Sequence, residues 1–332
     1  MQSLPWVEKY RPTVLKEILS HTDTIDILSR YVANGQLPHL LFHGPPGSGK
    51  TTAAKALVKE IHGEFSTHMS LELNASDERG IGTVRDTIKR FTEFRPMRMA
   101  TDAHGLGAIK LVILDEADQL TNVAQMALRR VIEIFSATTR FCLICNFVNH
   151  LNPAIQSRCA KFRFPPLGRE ELQARAKTIA DYERLRVTPA ALEALTGVAN
   201  GDMRRVINLL QQCHMSRPDQ EIDAVDIRLA AGLPSPLQVD QVFRSLNEET
   251  VQQSAAVINA LLRLGFALSD VVSAVYACVW KTEYPPAFLT VLLRRLADVD
   301  YHLQKGANVS VMVGALVAAF VEARFAFQQS MA

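Results

Sequence analysis

Apolar and polar positions alternate in two regimes along this chain. In the first half, short apolar runs are separated by helical stretches. "HLLFHG" (39–44) reads as a strand running into a glycine-rich turn, and "KTTAAKALVKEIHG" (50–63) as a helix ended by Gly63. "MSLELNA" (69–75), "LVILDEAD" (111–118), "RFCLICN" (140–146) and "KFRF" (161–164) read as further strands. The third run is continuously apolar until its carboxylates, as expected of a strand buried on both faces. Strands alternating with helices predict a parallel sheet covered on both sides. "FPPLG" (164–168) breaks the pattern, because consecutive prolines resist helix and central strand alike. From 169 to about 231 every segment reads helical, and after "GLPSPL" (232–237) the remainder does too. The predicted class is α/β plus all-α: a parallel-sheet domain over 1–164, a small helical domain over 165–232 and a helical C-terminal domain over 233–332. "HGLGA" (104–108) reads as a mobile loop.

Composition narrows the functional classes. With 332 residues, 48% hydrophobic and 21% charged, the chain is expected to be globular with more than one core. A net charge of +2 excludes a polycation, so any nucleic-acid contact needs a local basic face. Five cysteines, sparse and odd in number, argue against a disulfide framework, and the opening "MQSLPWVEKYRP" lacks the apolar core of a secretory leader. The longest apolar run, Val311 to Val321, falls short of the ~20 residues of a membrane span. A soluble protein of a reducing compartment, with no membrane partner, is the expectation. The "CLIC" pair, Cys142 and Cys145, lies inside an apparent strand, where positions three apart point to opposite faces. Packing cysteines are therefore expected there, not a redox or zinc pair.

"GPPGSGKT" fits the phosphate-binding pattern G-x-x-x-x-G-K-[ST], with a strand before it and a helix after. Backbone N–H groups of Gly44, Pro45, Pro46, Gly47, Ser48 and Gly49, prolines excepted, would face phosphate oxygens at a helix N-terminus. Lys50 would reach the β- and γ-phosphates and the Thr51 hydroxyl would serve a Mg²⁺ ion, while Thr52 counts with the nucleotide-binding positions. Asp115 is the second candidate for the Mg²⁺ shell, and Glu116 for polarising the attacking water. Asn146 ends the next strand at the same edge, where an amide orients water or meets a phosphate. "NGDMRRVINLL" reads as a helix capped by Asp202, placing Arg204 in its first turn. A cation there opposes the helix dipole by about 0.3–1 kcal/mol, which a nucleotide phosphate would offset; a plain surface arginine is the competing reading. Arg158, in "IQSRCAKF", lies just ahead of the last strand and so near the amino edge, away from ligands bound at carboxyl ends. An intrachain salt bridge is one reading of it.

The order and spacing of "VEKYRP", "GPPGSGKT", "LELNASDERG", "LDEAD", "ALRR", "QSRC" and "GDMRR" resemble those of AAA+ clamp-loader ATPases, the replication factor C small subunits, over essentially the whole chain. "FCLICNF", "QSRCAKFRF" and "LSH" are most similar to one subunit type of that family. The resemblance implies an AAA+ P-loop domain, a lid domain and a C-terminal collar. It implies that Val7, Tyr10, Arg11 and Pro12 line an adenine pocket. Lys50, Thr51, Asp115 and Glu116 would hold and hydrolyse ATP with Mg²⁺; Asn146 and Arg204 would act as sensors. It makes Arg158 an arginine finger for a neighbouring subunit's site. The implied partners are four other clamp-loader subunits, a sliding clamp and primer–template DNA, and the implied location is nuclear. A nucleotide-binding scaffold with little turnover, and a homohexameric DNA motor, are the rival readings.

"SDERGIGTVRDTIKRF" (76–91) reads as turn then helix, with Val84, Ile88 and Phe91 toward the core. Arg85 and Lys89 share another face and Arg79 precedes the helix; the resemblance makes all three DNA-backbone contacts, where residues alone allow a solvated face. In "TEFRPMRMA" (92–100), Phe94, Met97 and Met99 are clamp-contact candidates or packing residues. Gln125, Arg129 and Arg130 are placed to link subunits or face DNA. "SVMVGALVAAFVEARF" (310–325) is apolar nearly all round and so expected to be buried, in a collar or in its own core.

Overall fold

The computed structural model describes residues 4–18, 20–76, 81–93, 109–217, 220–248 and 250–331, without side chains at 81–85 and 330–331. The chain forms two compact units, Met1–Leu185 with Ala199–Gln211, and Arg186–Val198 with Gln212–Ala332.

The first unit runs α1 (Trp6–Lys9), α2 (Thr22–Ala33), β1 (His39–His43), α3 (Lys50–His62), α4 (Ser66–Met69), β2 (Ser70–Asn74) and α5 (Ile81–Glu93). It continues through β3 (Lys110–Asp115), α6 (Asn122–Phe135), β4 (Thr139–Cys145), α7 (Pro153–Gln156), β5 (Cys159–Arg163) and α8 (Arg169–Tyr182). The five strands form one parallel sheet in the order β2-β3-β4-β1-β5. Successive side chains of the three central strands, β3, β4 and β1, serve opposite cores. Leu40, Phe42, Leu111, Ile113, Cys142 and Ile144 pack with Leu28 of α2 and Leu57 of α3. Leu41, Val112, Leu114, Phe141, Leu143 and Cys145 pack with Ile88 of α5 and Leu128 and Ile132 of α6. Both faces are therefore dry, which is why these strands read as continuous apolar runs.

Cys142 and Cys145 fall on opposite faces, as the spacing requires, and both are buried. Burial pushes the Cys145 thiol up to about 12 and raises Cys142 as well, so both are unreactive packing groups.

His39 opens β1, and its Nδ1 accepts the Phe141 N–H at 3.2 Å, which requires a neutral ring. Burial first, then the nearby Arg140 cation, hold its pKa down to about 4. Between that value and the ordinary 6.5 the unfolded chain binds a proton that the folded one does not, so stability rises with pH across this window. Acidification from about pH 6.5 to 4 should lower the urea midpoint, and His39→Asn should flatten that part of the profile. An unchanged slope in the variant would assign the acid sensitivity elsewhere.

The second unit begins with β6 (Arg186–Val187), paired in parallel with β7 (Glu221–Ile222). The all-helical expectation for 169–231 is corrected here: two-residue strands are too short to carry a period-two signal. The helices after Leu185 are α9 (Pro189–Ala199), α10 (Met203–Ser216, which belongs to the first unit as far as Gln211), α11 (Ala224–Ala230), α12 (Pro236–Glu248), α13 (Val251–Arg263), α14 (Leu268–Val279), α15 (Pro286–Gln304) and α16 (Val309–Met331). Val242, Leu246, Ile258, Val275, Leu292, Leu296, Leu316 and Phe320 build the core of α12 to α16. Val309–Gln329 is long and apolar enough, by length and composition, to cross a membrane. Val313, Leu316, Val317, Phe320 and Ala323 nonetheless place one side of it inside this helical core. Val311 and Phe325, each 62% exposed, lie on the other side. The helix expected to be buried all round is therefore buried on one face within the chain.

Candidate nucleotide site

In a parallel sheet the ligand crevice lies beyond the carboxyl ends of the strands. β1 delivers the chain there at His43, the loop 44–49 reverses it, and α3 starts at Lys50. Two glycines make the turn possible. A Cβ on Gly44, at φ +149°, would lie 2.0 Å from the Phe164 carbonyl oxygen. A Cβ on Gly47, at φ +69°, would lie 1.8 Å from Asp202 Oδ1 and 2.9 Å from its Cα. The loop is thus pressed against the residue after β5 and the start of α10, where the Met203 N–H donates to the Gly47 carbonyl at 3.4 Å. Gly47→Ala should cost about 1–3 kcal/mol of stability through the strained φ and the collision. It should also lower ATP affinity, read by calorimetric titration. Wild-type affinity in a folded variant would mean the loop tolerates the shift.

Lys50 is buried, and its Nζ donates to the carbonyls of Gly44 and Pro45, each at 2.8 Å, and to Asn146 Oδ1 at 3.0 Å. Burial lowers its pKa, and the neighbouring Arg204 cation adds to that while Asp115 opposes it. Two cations, Lys50 and Arg204, thus share one crevice with the Asp115 and Asp118 carboxylates, and a buried ammonium held on neutral oxygens can exchange them for those of an anion. Thr51 Oγ1 donates to Asp115 Oδ2 at 2.8 Å, bringing two hard oxygens together. Glu116 follows in the left-handed region at φ +54°, its N–H donating to Asp115 Oδ1 at 2.9 Å. Asn146 comes directly after β4, level with these groups. Asp118, missed in the sequence, holds it there: Oδ2 accepts the N–H groups of Asn146 and Phe147, each at 3.1 Å.

Val7, Tyr10, Arg11 and Pro12 line a cleft with Gly47, Ser48, Gly49 and Thr52. Its remaining walls include Ile18, Glu171, Arg175, Met203, Arg204 and Ile207. The cap on α10 is as expected, with Asp202 Oδ1 accepting the N–H groups of Arg204 at 2.8 Å and Arg205 at 3.3 Å. Sequence reasoning missed Glu171, Arg175, Met203 and Ile207; the apolar spacing of Met203 and Ile207 on one helical face was the available signal.

Arg158 sits at the other edge of the sheet. Cys159 is opposite His39, and Arg163 opposite His43, so the phosphate loop begins about 13 Å further along the strands at ~3.3 Å per residue. Within the chain, Arg158 Nη2 pairs with Glu133 Oε1 at 2.5 Å and Nη1 donates to the Ala154 carbonyl at 2.7 Å. Glu133 also meets Arg129 at 3.2 Å.

α5 buries Ile88 and packs Phe91 against the core, leaving Lys89 exposed and 3.8 Å from Glu93. The Arg85 and Val84 side chains lie outside the described residues, as do Arg79, Phe94, Met97, Met99 and the 104–108 loop. Gln125 requires a correction. It is 2% exposed and donates to the Leu120 and His150 carbonyls at 3.1 and 3.0 Å while accepting the Asn152 N–H at 2.7 Å. Its side chain is an internal brace, because three backbone groups that need partners converge on it. Arg130 is exposed.

Loop, paired strand-end oxygens and parallel sheet define a P-loop ATPase. The family model described as "ATPase family associated with various cellular activities (AAA)" matches residues 40–167. A second, described as "Replication factor C C-terminal domain", matches residues 234–319. "Replication factor C subunit 3" of Saccharomyces cerevisiae is 41% identical, with 96% of this chain and 94% of that relative covered. "Probable replication factor C subunit 5" of Dictyostelium discoideum is 40% identical over 96% and 91%. "Replication factor C subunit 5" of Homo sapiens is 37% identical over 96% and 92%. Among solved structures, a Thermotoga maritima RuvB Holliday junction branch migration motor shares the fold at 18% identity, with a TM-score of 0.53 over 79% of this chain and 90% of that one. The chain belongs to the replication factor C subunit family, in the branch whose members are numbered 3 or 5. That membership brings ATPase activity and a clamp-loader function in DNA replication.

Proposed function

We propose that this chain hydrolyses ATP with Mg²⁺ at the crevice above as one subunit of a nuclear, heteropentameric loader, and supplies an arginine finger to a neighbour. The carrying observation is the hydrogen-bonded set of Lys50, Thr51, Asp115 and Asn146 at one sheet edge.

The donor set fits Mg²⁺. Thr51 and Asp115 offer two adjacent oxygens, and among the described residues no group of three His, Cys, Asp or Glu is placed to cage an ion. Mg²⁺ suits such a site because it keeps waters and takes phosphate oxygens for the rest of its octahedron. When bound it would neutralise charge on the β- and γ-phosphates. Lys50 would exchange its carbonyl partners for phosphate oxygens. Arg204, on the capped start of α10, would bring a second cation to the same phosphates. Glu116 would accept the proton of the attacking water, which Asn146 would orient.

Domain roles follow the boundaries 1–164, 165–232 and 233–332, as ATPase, lid and collar. The half-exposed α16 supports a collar with four partner subunits. The helix carrying Arg85 and Lys89, with Arg79 before it, would follow the backbone of primer–template DNA while the ring-shaped clamp is opened and loaded. Steady-state ATP hydrolysis should be weak for the chain alone and rise with partner subunits, clamp and primed DNA together. Strong turnover indifferent to those additions would overturn the loader reading.

A further inference from the structure

The segment from Pro5 to Pro12 forms a wall of the cleft, yet its one regular element, α1, is a single turn. So short a helix does not hold itself in water, so its position depends on what grips it. α8 supplies two grips on one residue. Arg175 Nη2 donates to the Tyr10 carbonyl at 2.9 Å, and the Tyr10 hydroxyl donates to Glu183 Oε1 at 2.6 Å. The same Glu183 oxygen takes Lys9 Nζ at 2.6 Å. Glu183 caps the C-terminus of α8, and its side chain is 17% exposed. A third tie runs from the Trp6 N–H to Gln211 Oε1 at 3.2 Å.

We propose that Glu183 and Arg175 are positioning residues that set the affinity and base selectivity of the cleft by fixing Tyr10, and with it the wall Val7–Pro12. The proposal rests on the reading that this cleft takes the adenine base. The walls come from separate parts of the chain, with Val7, Tyr10 and Pro12 facing Ser48, Met203 and Ile207, so the clasp decides the width of the slot. The phosphates are served by other groups, Lys50 and the glycine loop, which the clasp does not touch. Base binding and phosphate binding are therefore separable. Burial, and then the hydrogen bond to Glu183, raise the pKa of Tyr10, in keeping with a protonated hydroxyl that donates to the carboxylate.

The experiment is equilibrium titration of the full chain with ATP, GTP and inorganic tripolyphosphate. Glu183→Ala should weaken ATP binding about tenfold, the effect of losing hydrogen bonds to a charged acceptor, and leave tripolyphosphate unchanged. The preference for ATP over GTP should shrink by the same factor. In the reconstituted complex KM should rise while kcat at saturation holds. Tyr10→Phe should reproduce the loss, and Glu183→Gln, which keeps an acceptor for the hydroxyl, should recover most of it. Tripolyphosphate binding reports that the variant is folded. Equal weakening of ATP and tripolyphosphate, or no weakening of ATP, overturns the clasp. Ile207→Trp fills the slot and should abolish ATP selectivity while sparing tripolyphosphate. If it does not, the base reading itself fails. If it does while Glu183→Ala is silent, the clasp alone fails.

Discussion

A complex carrying Arg158→Ala in this chain should bind ATP normally and lose about 10³–10⁵ in the hydrolysis rate of one site, the range set by arginine fingers elsewhere. The geometry argues that the affected site is not the chain's own. Arg158 precedes the first residue of β5, paired with the first residue of β1, while the phosphate loop leaves the far end of β1. Its present partner does not commit it. The pair with Glu133 is exposed, with side chains 34% and 41% accessible, and solvent screening leaves such pairs weak. A guanidinium so held is free to exchange carboxylate for phosphate, which it matches bidentately. Arg158→Lys, keeping charge without the fork, should recover only part of the rate. The measurement is single-turnover phosphate release from the reconstituted complex with clamp and primed DNA. Full turnover with Arg158→Ala would leave the residue a local tie between α7 and α6.

Glu116→Gln should separate binding from hydrolysis at the chain's own site. Its backbone sits in the left-handed region, sparsely used by residues with a side chain, and the N–H is tethered to Asp115. Such strain is kept where a side chain must be aimed. The amide preserves shape and removes the proton acceptor, so ATP affinity should hold while turnover at that site falls about 10²–10⁴. Unchanged turnover of the complex would favour the scaffold reading, in which the chain binds nucleotide and works through its finger and collar.

Much of the site was legible because its parts are neighbours in the chain. The glycine loop, the "DEAD" carboxylates and the Asp202 cap each declare their geometry within a few residues. The groups that steady them were not legible, since each meets a partner from elsewhere. Asp118 reaches Asn146 across 28 positions, and Glu183 reaches Tyr10 across 173. Gln125 shows the same limit in reverse: its place on the helix after the carboxylates suggested a contact with another subunit or DNA, while the His150 carbonyl and Asn152 N–H that claim it lie 25 and 27 positions away.

The sequence by itself determined the strands of the five-stranded sheet, the phosphate loop and the chemistry available there, because backbone periodicity and side-chain type are local properties. The tertiary structure decided direction and pairing. The parallel register of β5 on β1 puts Arg158 at the edge opposite the loop. The packing of α16 on one side leaves Val311 and Phe325 in the open. The grip of α8 on Tyr10 sets the wall of the cleft. Each depends on which distant segment arrives to satisfy a hydrogen bond or cover an apolar face, and one segment read alone does not carry that information.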